Sequence, residues 1–125
     1  MSDSPQPASF LPLTPVQFEI LLVLTEGESH GYRMIKEVEE RSNGSIRVAT
    51  GTLYRALRRL TSSGLVVPAG RRPSSDAEFE RRRYYAITPL GKDVAAAEAR
   101  RLAAQVEAAR ARALLSGAEG EGGIG

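Results

Sequence analysis

Residues 50–60, Thr50-Gly51-Thr52-Leu53-Tyr54-Arg55-Ala56-Leu57-Arg58-Arg59-Leu60, constrain the fold more than any other stretch of the chain. Leu53, Ala56, Leu57 and Leu60 recur at the i, i+3, i+4, i+7 spacing of a buried helical stripe. The opposite side carries Thr52, Arg55, Arg58, Arg59 and Ser62. These are short hydroxyls and guanidinium forks, the groups that hydrogen-bond base edges and phosphates in a DNA major groove. Taken alone, the polar side reads equally well as a solvated helix face.

The next residues narrow the choice. Ser62-Ser63-Gly64 ends the helix at a glycine, and Leu65-Val66-Val67 is a short β-branched run. Residues 68–82 read as a polar loop rich in turn residues. A second strand comes after it, Arg83-Tyr84-Tyr85-Ala86-Ile87-Thr88, with Tyr85 and Ile87 on one face and Tyr84 and Ala86 on the other. Helix, hairpin, helix is the order of a winged helix-turn-helix. The expected connection is longer than hairpin loops usually are, and such loops are functional or disordered. Arg71, Arg72, Arg81, Arg82 and Arg83 flank its tip, which predicts a phosphate-contacting wing.

The 125 residues suit one domain with a modest core, small enough to profit from a partner subunit. Without cysteine there are no disulfides or thiolate metal sites. No stretch approaches the roughly eighteen apolar residues of a membrane helix. Met1-Ser2-Asp3-Ser4-Pro5 lacks the basic-then-apolar layout of a signal peptide, so the expected location is cytoplasmic. The net charge of +2 is unevenly spread. Residues 1–46 hold three basic and seven acidic side chains, and residues 84–125 balance at five of each. Residues 47–83 hold nine arginines against Asp76, Glu78 and Glu80, a net of +6. That excess favours a polyanion such as DNA, because neutralised phosphates release counterions. An acidic membrane would draw on the same charge, but the basic helix has no bulky aromatic face for insertion.

The remaining elements fall into a simple order. Residues 1–12, with three prolines, are expected to form a flexible arm, and residues 13–88 the winged helix-turn-helix domain. Thr14-Pro15 starts a first helix with Phe18, Ile20, Leu21, Leu22 and Leu24 mostly buried. Ser29-His30-Gly31 opens a second, in which Tyr32, Ile35 and Val38 are expected to point inward. Asn43-Gly44 is a turn, Ile46 and Val48 suit a short strand pairing with the hairpin, and Thr50 is expected to cap the third helix. His30, the lone histidine, reads as structural through capping or packing, with a ligand or pH-sensing role as the alternative. Tyr54 is placed either to reach a phosphate or to pack against the hairpin. Thr88-Pro89 starts a last helix expected to run to about residue 115, some 40 Å long. Its seam, Ala95, Ala99, Leu102, Val106, Ala109 and Ala113, has heptad spacing. So long a helix demands another surface, and a twin from a second subunit supplies it; a solvated alanine-rich helix is the alternative. Residues 116–125, rich in glycine, are expected to form a disordered tail.

Assembled, the chain resembles the PadR-like transcriptional regulators, named for control of phenolic acid decarboxylase. The resemblance covers residues 13–115. It rests on His30-Gly31-Tyr32, on Gly51-Thr52-Leu53-Tyr54 with Leu57, Leu60, Gly64 and Leu65, and on Arg83-Tyr84-Tyr85 with Ile87, Thr88 and Gly91. The single C-terminal helix is similar to the smaller subgroup of that family. The resemblance implies a mostly α fold with a small β-hairpin and a homodimeric repressor joined through its last helices. Some members bind aromatic or drug-like effectors between those helices. This chain departs from them in having no tryptophan and an alanine-rich last helix.

The candidate DNA contacts are therefore Thr50, Thr52, Tyr54, Arg55, Arg58, Arg59, Arg71, Arg72 and Arg82. The expected partners are double-stranded DNA and a second copy of the chain. A small-molecule effector is left open, with Phe18 and Leu22 beside residues 90–102 as its site. No cofactor, metal or catalysis is expected, because phosphate-loop and dinucleotide glycine patterns and His/Cys clusters are absent. The rival reading is a winged-helix protein-interaction module that does not bind DNA.

Overall fold

The computed structural model describes residues 6–74 and 77–115, and the side chains of all of these except 77–80. Within them lie four α-helices and one three-stranded antiparallel sheet. This is the expected mostly helical winged helix-turn-helix with a long C-terminal helix. Residues 1–5 of the expected arm and the expected tail from residue 116 lie outside the described residues.

Helix α1 (Pro15–Thr25) begins in a reciprocal cap. Thr14 Oγ1 accepts the Gln17 N–H at 3.1 Å, and Gln17 Oε1 accepts the Thr14 N–H at 3.0 Å. Strand β1 is only Ser29–His30, and helix α2 (Gly31–Arg41) begins directly after it. His30 caps α2, its Nδ1 accepting the Arg33 N–H at 3.2 Å, so the structural alternative for the lone histidine has a definite bond. Helix α3 is Thr50–Ser62. The three helices pack Ile20, Leu21, Leu24, Met34, Val38, Leu53, Leu57 and Leu60 into one core.

Two helix expectations are corrected. Tyr32 is 46% exposed, because α2 turns Gly31, Met34 and Val38 inward and leaves residue 32 on its flank. Thr50 is the first helical residue rather than the cap: Ala49 takes the extended cap conformation, with no side-chain bond to the helix.

At its C-terminus α3 closes as expected of a glycine stop. The Leu65 N–H reaches the Leu60 carbonyl at 2.9 Å and the Gly64 N–H the Thr61 carbonyl at 3.1 Å. Gly64 takes the positive φ (82°) that this closure requires. The chain then enters β2 (Val66–Ser74), which pairs with β3 (Ala77–Ile87); β1 pairs with the far side of β3. The sheet order β1-β3-β2 overturns two expectations. The strand beside the hairpin is Ser29–His30, opposite Tyr85 and Tyr84, and not Ile46 and Val48. The stretch 68–82 is not a long loop, since both strands continue through most of it. Its prolines mislead because β2 is an edge strand, where a missing N–H costs no ladder bond.

Helix α4 (Pro89–Ala111) starts at the corner between α3 and β2 and packs along α1. The Thr88 hydroxyl donates to the Gly64 carbonyl at 2.7 Å and accepts the Gly91 N–H at 2.9 Å. Gly91 is required here, because a Cβ would collide with the Leu65 carbonyl oxygen. Gly91, Val94, Ala95 and Glu98 form the buried side of α4. A 3-10 turn, Pro7–Phe10, packs against it, so the expected arm is structured from Pro7 onward. The helix stops at Ala111, short of residue 115. Leu114 N–H closes on the Ala109 carbonyl at 2.9 Å, with Ala113 at a φ of 65° outside the helix.

Glu98, 1% exposed, accepts the Leu13 N–H at 3.0 Å and two bonds from Arg101 at 2.5 and 3.0 Å. The Arg101 hydrogen bonds hold its carboxyl below the ordinary 4.5; burial opposes them and the Leu13 N–H assists. A depressed folded-state pKa means stability that is fully present above 4.5 and is lost as the pH falls through the lower folded value. The gap in melting temperature between the parent and Glu98→Gln should therefore narrow steadily below that pH. A gap that stays constant with acidification would contradict a charged clasp.

Candidate nucleic-acid interface

The outer side of α3 is built by the same periodicity that builds its inner side. With Leu53, Ala56, Leu57 and Leu60 turned into the core, Arg55, Arg58, Arg59 and Ser62 are exposed and Thr52 is half-buried. No carboxylate occurs in the helix. Arg55, Arg58, Arg59, Ser62 and Ser63 line an open groove with Gln17 of α1. Arg55 donates to the Thr52 hydroxyl at 3.3 Å, which steadies one guanidinium along the helix axis. Thr50 is exposed in the first turn, and the absence of a capping side chain leaves the helix N-terminus to other acceptors.

A second, more apolar crevice separates α3 from the hairpin. Leu57 and Tyr85 form its buried floor, Tyr54 and Pro68 stand beside it, and Arg58 and Arg83 are its charged members. Tyr54, 37% exposed, lies across Gly31, where a Cβ would strike its hydroxyl. The two glycine-and-tyrosine motifs of the sequence thus interlock. The packing expected of Tyr54 is against the hairpin; its hydroxyl end lies over Gly31 of α2, and the residue also borders the crevice toward Pro68 and Tyr85.

The hairpin divides its arginines between two faces. Arg71 pairs with Arg83 and Arg72 with Arg82 across the strands, and residues one apart point to opposite sides. Arg83 and Tyr85 face α3, so Arg71 and Arg81 belong to that side; the Arg71 carbonyl accepts from Arg81 at 2.7 Å. Arg72 and Arg82 occupy the reverse side. The Arg72 guanidinium lies 3.7 Å from the centre of the Tyr84 ring, donates to the Ala69 carbonyl at 2.8 Å and pairs with Glu28. Arg82 lies 5.1 Å from the Tyr32 ring, with Lys36 at 5.7 Å from the same ring. The His30 ring meets Tyr84 edge-on at 5.2 Å. This alternation of cations and rings braces the hairpin stem against α2. Of the three wing residues singled out from sequence, only Arg71 lies on the α3 side. Arg83, absent from those candidates, joins it there, and strand alternation was the signal that could have found it.

Elsewhere, Ala95 of the expected seam is buried in this chain's own core, while Ala99 is exposed, Leu102 and Ala109 are half-buried and Val106 is 42% exposed. Phe18 and Leu22 are half-buried on α1. Among the described residues no helix is long and apolar enough to cross a membrane.

Residues 20–97, from α1 to the seated part of α4, match the family model described as "Transcriptional regulator PadR-like family". The curated "Uncharacterized protein X" of Lysinibacillus sphaericus is 36% identical over 73 residues, which cover 58% of this chain and 64% of that protein. The chain thus spans just under two thirds of the length of this curated relative. Among solved structures, a PadR family transcription regulator from hypervirulent Clostridium difficile is 26% identical, with a TM-score of 0.65 over 76% of this chain and 94% of its own. Bacillus subtilis PadR in complex with operator DNA is 21% identical, with a TM-score of 0.54 over 64% of this chain and 44% of its own. That last likeness is one of fold.

Proposed function

Because the chain belongs to the PadR-like family of transcriptional regulators, we propose that it binds operator DNA as a homodimeric repressor, with α3 in the major groove and the hairpin along the adjoining backbone. The observation that carries this reading is the run of exposed arginines on α3, continued across the crevice by Arg83, Arg71 and Arg81. Bacillus subtilis PadR, of like fold, has been crystallised with operator DNA. The winged domain is taken as residues 13–88 and the dimerisation segment as 89–115, with Ala99, Leu102, Val106 and Ala109 forming the intersubunit seam. Repression results from occupancy of the operator. A small-molecule effector would enter beside Phe18 and Leu22 of α1 and residues 90–102 of α4. Titration of aromatic and cationic compounds against operator release tests that part.

Capture of genomic DNA fragments by the purified protein, with affinity measurements over a salt series, tests the whole. Six to ten phosphate contacts would lower affinity roughly 10³–10⁵-fold between 50 and 200 mM salt. A winged-helix module that binds proteins alone shows no such slope.

The division of arginines gives a sharper expectation. Arg55→Ala or Arg59→Ala should cost about 1–3 kcal/mol of discrimination at one base position. Arg71→Ala or Arg83→Ala should weaken all sequences alike and reduce the salt slope by about 1. Arg72→Ala should leave that slope unchanged, since its guanidinium is spent on Tyr84 and Glu28. A slope that responds to Arg72 and ignores Arg83 would reverse the assignment of faces.

A further inference from the structure

We infer that Glu98 is a positioning residue for operator recognition: its buried carboxylate fixes the direction in which α4 leaves the winged domain, and with it the spacing of the two reading helices. The inference rests on the dimer proposed above.

Glu98 stands at the point of departure. Gly91, Val94, Ala95 and Glu98 are the buried residues of α4, and residues 99–111 are exposed or half-buried. Around that point α4 packs on α1 and on the 3-10 turn, with Val94, Ala95 and Leu13 among the buried apolar residues. Apolar packing resists separation but is non-directional. The carboxylate defines an angle. One oxygen accepts the Leu13 N–H and an Arg101 N–H, and the other accepts the Arg101 Nε–H. Leu13 directly precedes the cap of α1, so the bond ties the rigid start of one helix to the exit of another. Charge-assisted, bidentate bonds of this kind impose geometry as well as attraction.

Stability alone does not account for a glutamate here. A buried ion pair costs desolvation that a well-packed apolar side chain of similar volume avoids, and such pairs are best attested as devices of register. Register matters because the free part of α4 is a lever. Ala99 to Ala111 extends roughly 20 Å, so a tilt of about 10° at Glu98 moves its far end by some 3 Å. That is close to one base-pair step of about 3.4 Å. Two reading heads on such levers hold one half-site spacing only while both angles are held.

The test is a set of operators whose half-sites are moved apart in single base-pair steps, bound by the full-length parent, Glu98→Gln and Arg101→Gln. Glutamine keeps the size of Glu98 but presents an N–H₂ group to donors that require an oxygen. Light scattering and circular dichroism establish that each protein is a folded dimer. The expected result is a flattened profile: the preference for the best spacing over its neighbours falls roughly 5-fold or more, within the usual range of couplings between distant sites. Affinity for an isolated half-site stays at the parent value. A residue that merely stabilised the fold would lower affinity at every spacing alike, and profiles of unchanged shape in both variants would overturn the inference. Arg101, a third exposed, carries the test if Glu98→Gln does not fold. A parent protein that is monomeric in solution and on DNA removes the dimer reading itself. A dimeric parent with unaltered variant profiles removes only this one.

Discussion

Replacing Leu102 and Val106 together by glutamate should leave a folded monomer whose affinity for a two-half-site operator is lower by roughly 10²–10⁴-fold, the gain that linking two binding modules supplies. Both residues lie beyond the seated part of α4, where neither supports the chain's own core: Leu102 is half-buried and Val106 is 42% exposed. Between them and Ala99 and Ala109 the helix offers a narrow apolar seam flanked by small side chains that allow close approach of a twin. Four carboxylates on that seam, two from each copy, would repel and would have to be desolvated. The winged domain should be untouched, so binding to a single half-site is the internal control. Light scattering at micromolar concentration and a parallel titration of one- and two-half-site DNA read both effects. If the double variant remained dimeric at parent affinity, the seam would lie elsewhere.

Leu53→Ala should destabilise the fold by about 2–5 kcal/mol, the range for a fully buried leucine whose cavity cannot collapse. Leu53 has no exposed surface and lies beneath the crossing of Gly31 and Tyr54. It sits in the core shared by α1, α2 and α3, whose packing on their other sides keeps them from closing on the gap. For a domain of this size each kcal/mol corresponds to roughly 4–8 °C of melting temperature. Thermal unfolding monitored by circular dichroism gives the number. A loss below about 1.5 kcal/mol, the range for volume-conserving swaps, would show that α3 relaxes toward α2 and that the interlock is loose.

What can be read from the sequence tracks the physics of each element. Helix α3 is legible to the residue on its buried side, because four apolar side chains at helical spacing admit few other arrangements. Thr14-Pro15 and Thr88-Pro89 announce their helices through local capping chemistry. The base of the hairpin is legible in Val66-Val67 and residues 83–87, but its continuation through residues 68–82 is not, because a two-stranded ribbon with solvent on it needs no apolar alternation, and the edge position of β2 lets Pro68 and Pro73 stand where a central strand would refuse them. Strand β1 exists only through its pairing with Tyr84 and Tyr85, a long-range fact that two residues cannot advertise. Glu98 is half legible. With Gly91, Val94 and Ala95 it completes the i, i+3, i+4, i+7 series of a buried face, yet a carboxylate in that place reads as solvated until its partners, Leu13 and Arg101, are known. Ala95 falls on the expected seam for the converse reason: a heptad pattern does not say which of its turns the chain itself already covers.

The bulge opposite Tyr84 has a consequence of its own. Between Pro68 and Arg71 strand β2 carries one residue more than β3, and Gly70, at a φ of 95°, takes up the surplus. Pairing without it would slip by one, and a one-residue slip turns every later side chain over. Arg71 would then exchange places with Arg72, and the guanidinium now stacked on Tyr84 would be the one turned toward α3. Position 70 thus works as a selector, a single dihedral deciding which of two adjacent, chemically identical groups is held in reserve and which is presented. A lineage could reassign the charge pattern of this surface there without changing one arginine.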